Sequence, residues 1–404
     1  MRVVIATAVY HPQVNGVAVF AHNLAMGLVK RGLEVMVLCP SQTGKSYVRT
    51  VDGVEVHYLK SIQAKVYPDQ IHDVPKGKRL IYKHGFRVSV FPAKEIAEAL
   101  KKFMPDVVHV QVSDPIGLSV VSWARKNNVP VVTTEHNQPE VLTDPLHVPK
   151  VFKKPVNALL SSYFRKRQSK SDFVTMPTKQ AIDNLLYRSG KKLEVPIAAV
   201  SNGVDLSRFK PGKVPPKIYT MYGLAVDAPT VLYVGRVDPE KKVGIVIEAF
   251  LKVLESVPNA QLLVVGDGVD KARLERKYGV VKSVRFLGRV VNDDLYELYK
   301  TGWVFATASE IETQGIVLIE AAASGLPLVA VDKGAVSEVC IDEENGYLCE
   351  PRSVSEIANA ITTILMDEKL RKEFSKKSLE IAKEHDFETT LDKFINIYKK
   401  VVEK

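Results

Sequence analysis

Short apolar segments of strand length alternate with amphipathic helical patterns along most of the chain. The predicted strands are 3–9, 33–39, 106–112, 129–135, 172–177 and 197–201 in a first series, and 230–236, 261–267, 283–288, 303–309 and 326–332 in a second. Because alternating strands and helices require crossover connections, each series predicts a parallel sheet with helices on both faces. The fold class is therefore α/β, with two doubly wound, Rossmann-like domains and a C-terminal helical tail.

The 404 residues are enough for two domains that each bury a core. We place the first domain at residues 1–200 and the second at residues 218–375. Residues 201–217 contain turn formers and three prolines but no strand-length apolar run, so we predict that they form a linker. The helices predicted at 376–404 are expected to pack back toward the first domain. Since doubly wound sheets bind ligands at the carboxyl ends of their strands, we expect the two domains to face each other across a cleft.

Composition and terminal pattern favour a folded cytoplasmic protein. Hydrophobic residues make up 46% of the chain and charged residues 25%. The N-terminal apolar run is too short for a signal peptide, and no segment reaches the roughly 20 apolar residues of a membrane helix. The three cysteines, Cys39, Cys340 and Cys349, form no C-x-x-C pair, which favours unpaired thiols in a reducing compartment.

Common cofactor motifs are absent from the sequence. The first strand is followed by a single glycine, Gly16, instead of G-x-G-x-x-G, and the V-V-G-D-G segment at 264–268 does not open a dinucleotide turn. There is no G-x-x-x-x-G-K-[ST], nucleophile elbow, zinc-ligand spacing or D-x-D of the kind that holds a metal-bound diphosphate. We therefore expect neither a cofactor nor a metal.

Two cations follow the first strand of the second domain. The segment G-R-V-D-P-E-K-K at 235–242 places Arg236 and Lys241 in a loop at the end of that strand. A guanidinium fork and an ammonium point charge in such a loop suit a diphosphate. Lys242 is interpreted as an ordinary surface charge.

The segment S-E-I-E-T-Q-G-I-V-L-I-E combines two carboxylates with the start of a helix. Gly315 allows the backbone to approach a ligand closely, and the free N–H groups of the following helix attract phosphate. Glutamates beside phosphate would repel it, so Glu312 and Glu320 are expected to bind hydroxyl groups. Glu320 suits the two adjacent hydroxyls of a ribose, and Glu312 a second polyol. A ribose, a diphosphate and a second polyol together describe a nucleotide sugar.

The basic charge is concentrated in the first half of the chain. Residues 1–200 contain 28 Lys and Arg against 15 Asp and Glu, whereas the remainder contains 28 against 31. A helical pattern at 150–170 has no acidic residue and carries the membrane-binding candidates Lys153, Lys154, Arg165, Lys166 and Arg167. A second basic run comprises Lys76, Lys78, Arg79, Lys83 and Arg87.

Two interpretations of the basic helix remain open. It suits an anionic membrane surface, but it is also compatible with a core-facing helix that has a solvated basic back. No helix-turn-helix, zinc or aromatic RNA-binding signature accompanies the charge, so no nucleic-acid partner is expected.

Seven short motifs resemble those of the retaining glycosyltransferases of family 4, which have the GT-B architecture. The motifs are N-G-V (15–17), T-E-H-N (134–137), N-G-V-D (202–205), G-R-V-D-P-E-K (235–241), V-G-D-G (265–268), F-L-G-R-V (286–290) and E-T-Q-G-I-V-L-I-E (312–320). The resemblance extends over nearly the whole chain, and the last motif, with two glutamates at this spacing, is the most specific.

The resemblance implies a donor site made mainly of residues from the second domain. The implied set is Arg236, Lys241, Arg289, Val290, Glu312, Gly315, Ile316, Val317 and Glu320. In it, the two basic residues at 236 and 241 bind the diphosphate, and the backbone at 289–290 contacts the base. Glu312 and the amides at 315–317 hold the sugar and phosphate, while Glu320 holds the ribose.

The first domain is implied to contribute Gly16 and His136. Gly16 lets a loop approach the donor, and His136 is similar to the family histidine that lies beside sugar and acceptor. The implied catalytic residues are His136, Glu312, Arg236 and Lys241. Family resemblance implies retention of anomeric configuration without a metal, and the nucleotide sugar is then the substrate instead of a cofactor.

The acceptor is suggested by one departure from the family pattern. Many members have Phe where this chain has Gln314, and E-T-Q-G resembles bacterial glucosyltransferases that glycosylate diacylglycerol. With the basic first half, this favours transfer of glucose from a UDP-linked donor to a membrane lipid, by a peripheral protein on the inner face of the cell membrane. A soluble sugar or phosphatidylinositol acceptor, a nucleotide-sugar epimerase, a phosphorylase and a non-catalytic sensor are the alternatives.

Overall fold

The computed structural model describes residues 1–13, 15–63, 87–111, 114–136, 150–189, 193–290 and 293–404. These residues divide into two compact units. The first comprises the described residues between Met1 and Asn202 together with Glu388–Lys404, and the second comprises those between Gly203 and Phe387. Residues 76–83 of the second basic run lie outside the described residues.

The first unit is built on an eight-stranded sheet with the strand order β10-β9-β8-β7-β1-β2-β4-β3. Its strands are β1 (Arg2–Ala6), β2 (Glu34–Pro40), β3 (Tyr47–Val51), β4 (Val54–Leu59), β7 (Val107–Val110), β8 (Val131–Thr134), β9 (Phe173–Met176) and β10 (Ile197–Ala199). A separate pair consists of β5 (Ile62–Gln63) and β6 (Arg87–Val88). The central strands are buried because helices cover both faces, which explains their continuous apolar sequences.

In the described part of the first unit, five helices follow strands. They are α1 (Gly16–Lys30), α2 (Ala93–Phe103), α3 (Pro115–Lys126), α4 (Lys150–Gln168) and α5 (Lys179–Ser189). Side-chain caps fix three of the helix starts: Asn15 accepts a hydrogen bond from the Ala18 amide at 2.9 Å, Asp114 one from the Gly117 amide at 2.8 Å, and the Thr178 hydroxyl one from the Ala181 amide at 3.1 Å.

The first sheet is not parallel throughout. β3 pairs antiparallel with β4 and forms the edge, while the other pairs of this sheet are parallel. The predicted parallel sheet is therefore extended at this edge by one antiparallel strand that was not predicted. The hairpin was missed because β3 is largely exposed and lacks the continuous apolar run of a buried strand.

The second unit is built on a six-stranded sheet with the order β13-β12-β11-β14-β15-β16. Its strands are β11 (Thr230–Val234), β12 (Gln261–Val265), β13 (Val284–Gly288), β14 (Val304–Ala306), β15 (Leu328–Val331) and β16 (Gly346–Cys349). All its pairs are parallel. The eleven predicted strands are all present, and the prediction of two doubly wound sheets is confirmed.

Helices cover both faces of the second sheet. They are α6 (Pro216–Tyr222), α7 (Val243–Ser256), α8 (Lys271–Tyr278), α9 (Asp293–Thr301), α10 (Ile316–Ala323), α11 (Val354–Met366) and α12 (Glu368–Lys383). Alternate residues of β11 and β12 enter two different apolar cores, one containing Val231 and Val264 and the other containing Leu232 and Leu263. This alternation places a core on each side of the sheet.

The chain ends in helix α13 (Phe387–Val402), which belongs almost entirely to the first unit. Its Leu391 lies against Gly27, where an added Cβ would approach the leucine side chain to 2.6 Å.

The expected domain boundary at 375 falls inside α12, which packs within the second unit, and the structure divides the units at 387 instead. The expected linker is also structured, because Val204 bonds to His385 and Phe209 is buried.

All three cysteines are buried and unpaired. Among the described residues, no helix has both the length and the apolar character that crossing a membrane requires.

We expect Gly346→Ala to destabilise the second unit by roughly 3 kcal/mol, because overpacking forces backbone shifts. A Cβ at this position would lie 1.8 Å from the Leu328 carbonyl oxygen on the paired strand β15. Denaturant unfolding followed by tryptophan fluorescence tests this expectation.

The matched control is Gly244→Ala in α7, where the added Cβ would meet only a leucine side chain at 3.4 Å. Alanine is the better helix former, so this variant should be neutral or stabilised by up to about 1 kcal/mol. Equal stability of the two variants would contradict the assigned strand pairing.

Candidate functional site

The strand order of the second sheet reverses between β11 and β14, which lie side by side at its centre. Loops that leave the carboxyl ends of such strands turn in opposite directions and open a crevice where ligands bind. Arg236 and Lys241 follow β11, and Glu312 follows β14. The sheet therefore brings the predicted phosphate-binding and sugar-binding residues to one edge of the second unit.

Arg236 is half exposed and lies within a cluster of carboxylates from its own loop. Its guanidinium is hydrogen-bonded to the Asp238 carboxylate, and it donates to Glu240 Oε1 at 2.6 Å. The other oxygen of Asp238 accepts from the Val269 amide at 3.0 Å and so joins this loop to the loop after β12. Asp238 thus orients the arginine while it fixes the backbone.

Lys241 and Glu312 form an ion pair across the two central strands. The Lys241 Nζ lies 2.6 Å from Glu312 Oε1, and the two side chains are only 18% and 15% exposed. The ammonium also lies 3.4 Å from Ser309 Oγ and 3.4 Å from the Ile311 carbonyl oxygen. The two predicted residues are therefore in direct contact, and Ser309 joins them.

The N-terminus of α10 presents unpaired donors beside this ion pair. Gly315 precedes the helix with φ 73° and ψ 55°, a left-handed conformation that favours glycine. No side chain caps the helix, and the amides of Gly315, Ile316 and Val317 donate to no other residue in the described part of the chain. Three consecutive free N–H groups at a helix start form an anion-binding geometry.

Glu320 lies one turn further along α10 and has a partner that the sequence did not indicate. The Tyr299 hydroxyl donates to Glu320 Oε2 at 2.6 Å, and the tyrosine is fully buried. Burial raises the pKa of the Glu320 carboxyl to about 7, whereas the hydrogen bond from Tyr299 lowers it. One carboxylate oxygen is thus engaged, which leaves Oε1 as the oxygen that can bind a ligand.

The glycines of V-G-D-G pack backbone against backbone. A Cβ at Gly266 would lie 1.8 Å from the Gly235 carbonyl oxygen, and one at Gly268 would lie 2.4 Å from that of Val237. Both glycines are therefore explained by close contact between the loops after β11 and β12.

Arg289, just past β13, forms no ion pair with any described residue, and Val290 packs partly into the core.

Two predicted residues belong to the first unit, which is described on its own. Gly16 begins α1 after β1, and a Cβ there would meet no described atom within 4 Å. His136 follows β8, is 7% exposed, and its Nε2 lies 2.7 Å from Gln111 Oε1. Its ring packs edge-on against Phe20 with centroids 5.2 Å apart. Burial lowers the pKa of His136 to about 4, so the imidazole is neutral at physiological pH.

The basic helix at 150–170 forms α4, and its two sides differ. Leu160 and Phe164 pack into a small core of the first unit. Phe152, Leu159 and Tyr163 are 59%, 72% and 41% exposed, and their spacing of seven and four residues places them on one face.

The predicted membrane-binding residues differ in exposure. Lys154 and Lys166 are exposed, whereas Arg165 and Arg167 are partly buried, and the Lys153 side chain lies outside the described residues. The Arg167 guanidinium lies 4.9 Å from the Tyr163 ring centroid. An apolar stripe bordered by cations is therefore exposed on α4.

Tyr299 and Gln111 were missed by sequence reasoning for different reasons. Nothing marks Tyr299 among the residues of α9, because its partner lies on another helix. His109 and Gln111, by contrast, are polar residues two apart in an otherwise apolar strand, a pattern that could have indicated a buried polar cluster. Among the described residues, no group of three or more His, Cys, Asp or Glu side chains is arranged to hold a metal ion.

Two family models match consecutive parts of the chain. The model of Glycosyltransferase Family 4 matches residues 14–208, and that of Glycosyl transferases group 1 matches residues 220–380. The chain belongs to glycosyltransferase family 4. It is therefore a hexosyltransferase with a GT-B fold.

Relatives of this family 4 enzyme differ in the products and donors that their names specify. The chain is 26% identical to an alpha-monoglucosyldiacylglycerol synthase of Acholeplasma laidlawii, over 86% of this chain and 84% of that protein. It is 28% identical to a GDP-mannose-dependent alpha-mannosyltransferase of Mycobacterium tuberculosis, over 86% of this chain and 83% of that protein. Its fold resembles a sucrose-phosphate synthase structure from Thermosynechococcus elongatus, with a TM-score of 0.73, 20% identity and 99% coverage of both chains.

We expect Glu320→Gln to be more stable than the native family 4 enzyme, by an amount that depends on pH. The native carboxyl has a pKa of about 7 in the fold against 4.5 when unperturbed, so the folded state binds more protons between these values. Because the folded state binds more protons than the unfolded state between pH 4.5 and about 7, the free energy of unfolding of the native protein falls as the pH rises through this range. The loss is at most roughly 3 kcal/mol. Glutamine mimics the protonated acid and still accepts from Tyr299.

Thermal melting of both proteins at pH 5 and pH 8 tests this expectation. The variant should match the native protein at pH 5 and melt at a higher temperature at pH 8. A difference in melting temperature that is the same at both pH values would show that Glu320 does not titrate in this range.

Proposed function

We propose that this glycosyltransferase transfers a hexose, glucose from UDP-glucose, to a membrane lipid such as diacylglycerol, with retention of configuration and without a metal. The observation that carries the proposal is the contact between Lys241 and Glu312 beside the three free amides at the start of α10. These groups combine a cation, a carboxylate and an anion-binding backbone within one strand-end crevice. That combination suits a sugar diphosphate.

The diphosphate is assigned to Lys241, Arg236 and the amides of Gly315, Ile316 and Val317. Each cation has a carboxylate partner in the ligand-free protein, so binding exchanges one anionic partner for another instead of desolvating a bare charge. Arg236 is 48% exposed, and surface ion pairs of this kind contribute little stability, which makes the exchange inexpensive.

The hydroxyl groups of the donor are assigned to the two glutamates. When the diphosphate binds Lys241 in place of Glu312, the Glu312 carboxylate becomes available to accept hydrogen bonds from the sugar. Glu320 offers Oε1 to one ribose hydroxyl, because Tyr299 already holds Oε2. This refines the expectation that Glu320 takes both ribose hydroxyls. The backbone at Arg289 and Val290 is assigned to the base.

The chemical step follows from these assignments. As the bond between the anomeric carbon and the phosphate oxygen breaks, negative charge grows on the diphosphate, where Lys241 and the helix amides stabilise it. The acceptor oxygen bonds to the anomeric carbon from the same face, and its proton passes to the departing diphosphate. By the family resemblance, His136 is assigned to the sugar as a neutral hydrogen-bonding group, and Gly16 is assigned to the donor.

A lipid acceptor is supported by α4 and by one relative. Phe152, Leu159 and Tyr163 form an exposed apolar stripe on a helix that has no acidic residue. Such a surface suits the boundary between the headgroups and acyl chains of an anionic bilayer, where each nearby cation contributes about 1 kcal/mol. The name of the Acholeplasma laidlawii relative specifies a glucosylated diacylglycerol. We therefore place the enzyme on the inner face of the cell membrane.

We expect Lys241→Met to weaken binding of UDP-glucose by about 10- to 100-fold, since hydrogen bonds between charged groups contribute roughly 1.5–3 kcal/mol. Isothermal titration with UDP and UDP-glucose measures the loss. Lys242→Met is the matched control, because this neighbouring lysine forms no ion pair with any described residue. Equal affinities for the two variants would remove Lys241 from the site.

The donor and acceptor are tested by release of nucleoside diphosphate from UDP-glucose, UDP-galactose and GDP-mannose, each with and without diacylglycerol in anionic vesicles. We expect release from UDP-glucose that requires the lipid. Lipid-independent release would favour a soluble acceptor, and preference for GDP-mannose would favour the donor named for the mycobacterial relative. Absence of release with every donor would contradict the proposal.

The membrane surface is tested by the double variant Leu159→Gln with Tyr163→Gln. We expect its bound fraction in sedimentation with phosphatidylglycerol vesicles to fall several-fold, because the substituted face loses apolar burial. Val48→Gln is the control, since this valine is 59% exposed on β3, at the edge of the first sheet opposite to β9 and β10. UDP binding should be unchanged in both. Equal sedimentation would show that α4 does not bind the membrane.

A further inference from the structure

A series of buried, hydrogen-bonded side chains connects the C-terminal helix to His136 within the first unit. The Tyr398 hydroxyl on α13 lies 2.6 Å from His109 Nδ1, and Gln111 Nε2 lies 3.2 Å from His109 Nε2. Gln111 Oε1 then lies 2.7 Å from His136 Nε2. Tyr398, His109 and Gln111 are almost completely buried, so water does not offer them alternative partners.

The direction of these hydrogen bonds follows from the orientation of the Gln111 amide between two neutral rings. Burial lowers the pKa of His109 to about 3 and that of His136 to about 4, so each neutral ring carries one N–H. The Gln111 amide donates through Nε2 to His109 and accepts through Oε1 from His136. His136 therefore carries its proton on Nε2, and its Nδ1 bonds to no described residue.

An apolar path from the same helix supports the same ring. Phe394 of α13 packs against Phe20 with centroids 5.8 Å apart, and Phe20 packs against His136. Phe394 also lies 5.1 Å from the His109 ring. The C-terminal helix thus fixes both the ring position of His136, through Phe20, and its hydrogen-bonding partner, through His109.

We propose that Gln111 is a positioning residue that sets the tautomer of His136, with Nε2 protonated and Nδ1 presented as a hydrogen-bond acceptor, and that Tyr398 anchors it from the C-terminal helix. The proposal rests on the assignment of His136 to the reaction. In the other tautomer, His136 presents an N–H group where the substrate requires a hydrogen-bond acceptor. The arrangement therefore affects turnover more than it affects the affinity for the nucleotide sugar.

The tautomer is measured directly by two-bond ¹⁵N–¹H correlation spectra of histidine-labelled protein, with His136 assigned from the His136→Asn spectrum. We expect the Nε2–H form at pH 7 in the native protein. Gln111→Met should give a mixed or Nδ1–H signal and lower kcat by about 10- to 100-fold with little change in the KM for the donor. Tyr398→Phe should shift the signal in the same direction by less.

Thr390→Val is the control for loss of a buried hydroxyl on α13. The Thr390 hydroxyl donates to the Ser201 carbonyl oxygen at 3.0 Å and contacts no member of the path from Tyr398 to His136. This variant should keep the Nε2–H signal and native kcat, and thermal melting of all variants measures the loss of stability.

Two results would overturn the proposal: an Nδ1–H tautomer in the native protein, or a Gln111→Met variant with native tautomer and kcat. If Gln111→Met does not fold, Tyr398→Phe decides by the same readout, with an unchanged signal contradicting the proposal. The spectra require no substrate, so failure of this proposal is separate from failure of the transfer assay.

Discussion

The parallel pairing of β11 with β12 on one side and with β14 on the other is the constraint on which the candidate site of the second unit depends. Parallel strands release their loops at one edge of a sheet, and the reversal of strand order separates the loops after β11 and β14. Lys241 and Glu312 meet at this point because each lies shortly after one of these strands. The same rule places Gln111 and His136 at one edge of the first sheet, after the neighbouring strands β7 and β8.

Both cations of the second-unit site are paired with carboxylates of the protein. Lys241 is paired with Glu312, and Arg236 is paired with Asp238 and Glu240. A bare cation cluster would attract phosphate strongly but would also bind inorganic anions and would lose stability through self-repulsion. Paired cations therefore favour a ligand that supplies a diphosphate for the cations and hydroxyl groups for the released carboxylates.

Most of the fold could be predicted because buried parallel strands have continuous apolar sequences, as in β12 and β15. The hairpin of β3 and β4 and the edge strand β16 lack that signal, since their residues are partly exposed or alternate. The location of Arg236 and Glu312 shortly after the ends of β11 and β14 could also be predicted, because it follows from the predicted strands. Tyr299 and Tyr398 could not, because their roles depend on partners 21 and 289 residues away that only the packed fold brings into contact.

The return of the C-terminal helix to the first unit has a consequence for the order of synthesis. The described residues of the second unit run from Gly203 to Phe387, whereas the first unit is completed only by Glu388–Lys404. Its contacts include Arg31 with Asp392, which are 361 residues apart. Because a nascent chain emerges from its N-terminus, the second unit has all its residues before the first does. His136 consequently acquires its Tyr398 anchor only after the described residues of the second unit have been synthesised.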